Sequence, residues 1–439
     1  MTSTTTAPNP GAGASPRADT ADAAYRKVAW RLLPLLFVCY IAAYLDRVNV
    51  GFAKLQMQAA LQFSDSVYGL GAGIFFVGYF IFEVPSNTLL HRVGARRWIA
   101  RIMVTWGLLS MGTMWVTSPV SFYLLRFFLG AAEAGFFPGV VLYLTYWFPA
   151  ERRSKALALF VSAIAFAGIL GGPSSGWILQ GMDGVRGLQG WQWLFLLQGL
   201  PSVVLGIVVW RVLDDNVQQA RWLSDAERRT IAADLARDAS GKVDGGLLQV
   251  LRMPQVCWLS VVYFTLVAGV YCISFWLPTL LQKAGVRGAL DIGLLSAVPW
   301  AFGLVSMALV ARSADRQGGH RRHCAAGAVV GAAGLAFSAM FDTDAALALL
   351  GLTVGVMGIM AALPVFWGLP TGLLGGGAAA AGIALINCLG NLSGFFAPSV
   401  VGMLKQATDT TSAGVYLFAA VLLAGAGVLM GMRPPRQAP

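Results

Sequence analysis

Twelve stretches of about twenty or more apolar residues follow one another along this chain, and no other feature leaves it so little choice of fold. A helix needs about 20 such residues to cross the roughly 30 Å hydrocarbon core of a bilayer, where the backbone has to satisfy its own hydrogen bonds. The predicted spans are 31–53, 66–90, 97–117, 120–147, 155–179, 192–213, 256–281, 290–311, 323–341, 345–367, 376–403 and 412–432. With 57% of its 439 residues hydrophobic and 12% charged, the chain lies far outside the range of soluble domains. No alternating strand pattern competes, so the expected fold class is an all-α membrane protein with twelve transmembrane helices.

A polar stretch, "DDNVQQARWLSDAERRTIAADLARDASGKVDGG", divides the spans six and six. The expected organisation is a disordered cytoplasmic tail at 1–29, a six-helix unit at 30–213, a cytoplasmic linker at 214–255, a second six-helix unit at 256–433 and a short tail at 434–439. Residues 1–29 are rich in Thr, Ala, Pro and Gly and lack the basic start and apolar stretch of a cleaved signal. Inside the linker, Ser224 ahead of "DAERRTIAADLARD" predicts a capped surface helix with Asp225 and Glu227 in its first turn.

The formal charge of +11 reads as a topology signal and not as a nucleic-acid footprint. Two of the 31 Lys and Arg lie well inside spans (Arg47 and Arg126), five lie on one side (Lys54, Arg186, Lys283, Arg287, Lys405), and the rest are on the side of the termini and linker. Basic loops favour the cytoplasm, which places both termini there. The five cysteines have no C-x-x-C spacing and the histidines (His91, His320, His323) sit in or beside loops, so neither disulfide nor metal is expected. Glycine runs such as "GLLGGGAAAAG" lack the G-x-x-x-x-G-K-[ST] pattern, so they read as helix packing, with no ATP and no other cofactor.

Four ionisable residues stand unmistakably deep inside spans of the first half: Asp46 and Arg47 in "YLDRVNVGFA", and Arg126 and Glu133 in span four. Each costs about 2.5–3.5 kcal/mol at the centre of a span on insertion scales and needs a reason. Arg47 lies seven residues from Lys54 and Arg126 eight from Ser118, roughly 10 and 12 Å from the same edge, so the two arginines share a level. Glu133 follows Arg126 by two turns on nearly the same face, and Tyr40, Tyr44 and Arg47 follow i, i+4, i+7 on span one. Two readings compete: internal salt bridges that hold the bundle, or arginines that bind an anion beside acids that load and release protons. Buried pairs are poor stabilisers, which favours the second.

Two loops, "NTLLHRVGAR" from Asn87 and "ARSADRQGGH" from Ala311, occupy corresponding places in the two halves. Both resemble the signature G-x-x-x-D-R-x-G-R-R of the major facilitator superfamily, although the first has Asn87 and His91 where Gly and Asp are usual. The resemblance implies two pseudo-symmetric six-helix bundles with substrate held between them near the midplane. "YLDRVNVGFA", "GYFIFEVPSN", "RFFLGAAEAGFFPGVVLYLTYWFPAERR", "SFWLPTLL" and "INCLGNLSGFFAP" are similar to the anion:cation symporters, transporters of sugar acids, tartrate, phthalate and glutamate.

That branch implies Arg47 as the carboxylate ligand, helped by Tyr44, Tyr79 and Asn391. It implies Asp46 and Glu133 as proton-coupling acids and Arg126 as their charge partner. Glu83 is expected to hold the linker-side end of span two. The clusters Phe275–Trp276–Pro278 and Phe366–Trp367–Pro370 are expected either to wall the cavity, Trp367 above all, or to belong to the aromatic belts. Span five offers Ser162 where sugar-acid transporters of the branch can place Gln, which favours a smaller hydroxy diacid or an aromatic acid. The expected partners are a small organic anion, protons and the lipid bilayer, for a monomer in the cell inner membrane that is not an enzyme.

Overall fold

The computed structural model describes residues 16–240, 253–373 and 376–432; the parts of the expected tails and linker at 1–15, 241–252 and 433–439 lie outside them. The described residues are helical almost throughout and include no strand. The first half comprises α1 (Pro16–Val48), α2 (Val50–Leu61), α3 (Asp65–Val93), α4 (Ala95–Gly112), α5 (Pro119–Glu133), α6 (Phe136–Thr145), α7 (Ala150–Gly181) and α8 (Gly190–Val212). A linker helix α9 (Asp225–Ser240) follows, then α10 (Pro254–Lys283), α11 (Ala289–Gln317), α12 (His320–Met340), α13 (Ala345–Leu373), α14 (Gly376–Thr408) and α15 (Ser412–Gly431).

Eleven segments of the described residues are long and apolar enough to cross a membrane, with α1–α2 and α5–α6 each forming one of them. The twelfth, α4, is diluted by Arg96, Arg97 and Arg101 in its first two turns, yet it packs closely on α8, where a Cβ on Gly107 would meet the Gly199 carbonyl at 3.0 Å. The chain is therefore a multi-pass membrane protein with the expected six-plus-six arrangement.

Two local features depart from the sequence reading, and a third decides between two alternatives it left open. Helix α1 starts at Pro16, so residues 16–29 of the expected disordered tail are helical. They are held by the linker: the Tyr25 hydroxyl donates to Asp234 at 3.2 Å and Lys27 pairs with Glu227 at 3.1 Å. Glu227 closes the expected capping box with Ser224, whose backbone N–H lies 2.7 Å from its carboxylate. That N–H and Lys27 hold the Glu227 carboxyl below its usual range.

Span four is also not one helix. It breaks at Ala134, and Gly135 takes φ +88° where only glycine is unstrained; a Cβ there would lie 2.2 Å from the Ser86 hydroxyl. Lastly, Trp276 and Phe275 are fully buried, so they are not belt residues; Trp115, 71% exposed, and Trp177, 56%, are placed as belt residues would be.

The two halves meet along seams of small residues. A Cβ on Gly293 of α11 would lie 2.3 Å from the Gly172 carbonyl of α7, and one on Gly69 of α3 would lie 2.5 Å from the Pro398 carbonyl of α14. These seams, with α2 against α10, close the face opposite the linker. There Lys54 pairs with Asp65 at 2.7 Å and sits 3.7 Å from the centre of the Trp276 ring, while Lys405 of the other half reaches the same Asp65 at 3.0 Å. Gly293→Leu removes the room this seam requires. The expected outcome is a folded protein whose far face stays open, read as faster maleimide labelling of a Thr279→Cys probe in a background lacking the five native cysteines.

Candidate functional site

Two packing contacts set the site. A Cβ on Gly130 of α5 would fall 1.9 Å from the Phe75 carbonyl of α3, and one on Gly78 would fall 2.2 Å from the Phe127 carbonyl, so the two backbones touch. Helix α5 is started sharply by Ser118, which forms a capping box with Ser121, and by Pro119 in the first turn. It delivers Arg126 and Glu133, both without exposed surface, to the face of α1 that carries Arg47.

At the centre, the Arg47 guanidinium donates to the Glu133 carboxylate through Nη2 and to the Tyr271 hydroxyl of the other half through Nη1, at 3.2 Å. The rings of Phe75, Phe76 and Tyr79 flank it, with centroids 5.5, 5.9 and 5.4 Å from Cζ. Tyr271 in turn donates to Asn391 Oδ1 at 3.4 Å. Arg47 Nε and Glu133 Oε2 are buried with no hydrogen-bond partner, so each end of the ion pair keeps an unused atom.

The four expected charges do not form one cluster. Arg126 gives three hydrogen bonds to backbone carbonyls, Nε on Gly71 at 3.2 Å and Nη2 on Ala72 at 3.3 Å and Arg47 at 3.4 Å, while its Nη1 is buried with no hydrogen-bond partner. Asp46, next to Arg47 in sequence, points about 100° away on the helix. It faces α4 and α8, where its carboxylate accepts from Trp106 Nε1 at 3.0 Å, Ser110 at 2.7 Å and Ser202 at 2.5 Å.

Tyr44 also lies apart, bonding Ser274 at 3.0 Å beside a small pocket that Trp300 also lines. Trp367 packs on Tyr263 with centroids 4.8 Å apart. Ser162 is satisfied by the Leu159 carbonyl of its own helix. Of the expected ligands, then, Arg47, Tyr79, Glu133 and Asn391 come together, and Asp46 and Tyr44 do not.

The sequence reading missed Tyr271, Phe75 and Phe76, and the three donors of Asp46. Tyr263 and Tyr271, eight residues apart on one helix face, carried a usable signal, because a hydroxyl in a span wants a partner. Trp106, Ser110 and Ser202 carried none: single small donors in spans are ordinary.

Two bundles around a buried, chargeable centre, with eleven described segments long and apolar enough to cross a membrane and α4 packed among them, have the architecture of a multi-pass membrane transporter. The chain belongs to the Major Facilitator Superfamily, whose family model matches residues 36–398. It is 47% identical over 403 residues to NicT of Pseudomonas putida, provisionally named a metabolite transport protein, covering 91% of this chain and 92% of that one. It is 45% identical over 403 residues to a provisionally named tartrate transporter of Agrobacterium vitis, covering 91% and 89%. It is 40% identical over 403 residues to a quinolone resistance transporter of Acinetobacter baumannii, covering 91% and 92%. The inward open xylose transporter XylE from E. coli shares the fold, with a TM-score of 0.75 at 14% identity over 92% of this chain and 96% of that one.

The three donors on Asp46 generate a test. A hydrogen bond to a charged group contributes about 1.5–3 kcal/mol. Ser202→Ala should therefore destabilise the first bundle by about that amount, visible as a lower melting temperature of the detergent-purified protein. Asp46→Asn, which leaves donors facing an amide, should be at least as costly.

Proposed function

We propose that the protein is a secondary active transporter of the cell inner membrane, with both termini cytoplasmic, that takes up a small organic carboxylate together with protons by alternating access. The observation that carries the reading is the Arg47–Glu133 pair at the junction of the halves. A guanidinium is permanently charged and shaped for two-point contact with a carboxylate, and here its partner is itself a carboxylate that a proton can neutralise.

Coupling follows from the cost of leaving one charge alone. Breaking a buried ion pair by removing one partner costs about 3–5 kcal/mol. With Glu133 ionised, Arg47 is paired and a substrate anion would bring an unbalanced negative charge. With Glu133 protonated, Arg47 is free and the anion replaces the lost partner. The empty, paired state and the state holding both anion and proton are each balanced, and states with only one of the two are penalised by a factor of about a hundred or more.

Tyr79, Asn391 and Trp367 would contact the bound acid. Asp46, behind the cavity, would be the second proton carrier, and Arg126, tied to α1 and α3 carbonyls, would answer charge changes at Glu133. The tartrate relatives support an organic anion, and a hydroxy diacid, a sugar acid or an aromatic acid all suit a guanidinium anchor. The quinolone resistance relative favours a second reading in which the same exchange runs outward.

Uptake of labelled acids into proteoliposomes with and without an inward proton gradient tests the direction and the coupling. We expect gradient-driven accumulation abolished by a protonophore. Arg47→Ala should remove binding, and Glu133→Gln should keep binding and counterflow while losing gradient-driven accumulation. Gradient-driven accumulation retained in Glu133→Gln would overturn the coupling role.

A further inference from the structure

The unpartnered atoms of Arg47 and Glu133 belong to the central site, but those of Asn49 lie elsewhere. Asn49 follows Arg47 by two residues, so it points about 160° away from it around the helix. It is 1% exposed, and its Oδ1 and Nδ2 are both buried with no hydrogen-bond partner. Among the described residues it is the one side chain with two such atoms.

Asn49 stands on the side of α1 that carries Asp46, one turn nearer the far face. Leu45 packs on Gly171 of α7, where a Cβ would lie 2.7 Å from Leu45 Cδ2, and one turn further along these two parallel helices come Asn49 and Ser175. Helix α8 completes the seam, packing on α1, α2 and α7. It brings Ser202, which donates to Asp46 at 2.5 Å, and one turn nearer the far face it brings Gln198. Gln198 is 6% exposed; its Nε2 donates to Ser175 at 2.9 Å, and its Oε1 is buried with no partner. Two acceptors and one donor without partners thus lie along one seam, a single turn from Asp46. The groups that face Asp46 from α4 and α8 are neutral donors, Trp106, Ser110 and Ser202, and the charges that act on it, Glu133 and Arg126, stand on α5.

We propose that Asn49, Gln198 and Ser175 hold buried water that hands protons to Asp46 from the far-face side, behind the substrate cavity. The inference rests on the reading of Asp46 as a proton carrier. A buried water makes about three hydrogen bonds to polar groups that otherwise lack partners, and Asn49 Oδ1, Asn49 Nδ2 and Gln198 Oε1 are such groups. The Ser202 hydroxyl is one turn away, about 6 Å along α8, and can accept a proton from this water as it passes its own to Asp46 Oδ2. The water takes up one proton from the far-face side as it gives one to Ser202, so the net change is one proton added to the Asp46 carboxylate. Two turns beyond Asn49 the seam ends at the half-buried Gln56, which accepts from the Trp191 N–H at 3.0 Å and donates to the Leu179 carbonyl at 2.9 Å. Between these ends lie Ala53 of α2 and Leu194 and Phe195 of α8, buried and apolar, so the route is shut here while the far face is closed.

The test follows the carboxylic acid band of Asp46 by infrared spectroscopy of the detergent-purified full chain after a rapid drop in pH. The band is assigned by its loss in Asp46→Asn and by its shift on isotope labelling of the aspartates. Loss of one hydrogen-bonded relay should slow its appearance about tenfold or more in Asn49→Leu and in Gln198→Met, each close in size to the native side chain. Asn49→Ser, which keeps a hydroxyl and leaves room for one more water, should restore a rate near that of the wild type. Ala53→Leu, which thickens the apolar step, should slow the band as well. Asn49→Leu should also lower the melting temperature, because it strips a partner from the bound water; an amide that held no water would instead be replaced at a gain.

A raised melting temperature in Asn49→Leu overturns the proposal, as does an unchanged rate in Asn49→Leu and Gln198→Met, an unchanged rate in Ala53→Leu, or an Asn49→Ser protein as slow as Asn49→Leu. If the wild type shows no aspartate band at any pH, Asp46 is not a proton carrier and both readings fall. A band that rises at the same rate in every variant leaves Asp46 as the carrier and overturns the water site alone.

Discussion

The structure depends on one buried ion pair, Arg47 with Glu133, placed where the two bundles meet. Desolvating both groups is expensive, and the pair returns that cost only when the geometry is held firmly. Holding it is what the surrounding helices do. The touching backbones of α3 and α5 at Gly130 and Gly78 fix the depth of Glu133, and the break at Ala134–Gly135 ends α5 directly after it. Arg126, bonded to carbonyls of α3 and to that of Arg47 itself, ties α1, α3 and α5 into one unit around the pair.

The charge is distributed unequally between two halves that resemble each other in layout. At the centre, the cations and acids belong to the first bundle, while the second offers Tyr271, Ser274 and Asn391, all neutral. The consequence is mechanical. In the proposed cycle the empty protein keeps the ion pair within its own bundle, and the bonds that break at the centre on that return are between hydroxyls, amides and one guanidinium, each contributing about 0.5–3 kcal/mol. A pair split across the junction would instead have to be pulled apart in every cycle.

The fold was legible because its signal is long and redundant: a run of twenty apolar residues survives local exceptions, and the linker at 214–255 separates two sets of six. Even α4, with three arginines near its start, was found by position. Arg47 and Glu133 were legible because charged groups in spans are rare and face inward, whereas Tyr79 and Asn391 came from the family resemblance.

What could not be read was rotation. Asp46 and Arg47 are neighbours in sequence, and counting along the helix did not say that one faces the junction and the other faces Trp106, Ser110 and Ser202. The break in span four was equally hidden, since "EAGFFPG" permits a helix and only the approach of Ser86 demands the left-handed glycine.

Lys54 shows how a boundary residue acquires a role. Counted as the outer edge of span one, it is instead drawn inside, against Trp276, and shares Asp65 with Lys405 of the other half. The arrangement is asymmetric in what opening would cost. Asp65 and Lys54 belong to the same half and stay paired when the halves separate; Lys405, already 24% exposed at its side chain, passes into water. Pairs with exposed members contribute only about 0–1 kcal/mol, so this seal opposes opening weakly. The seal on the far face is therefore a weaker tie than the central pair, and it is on the central pair that the proposed coupling rests.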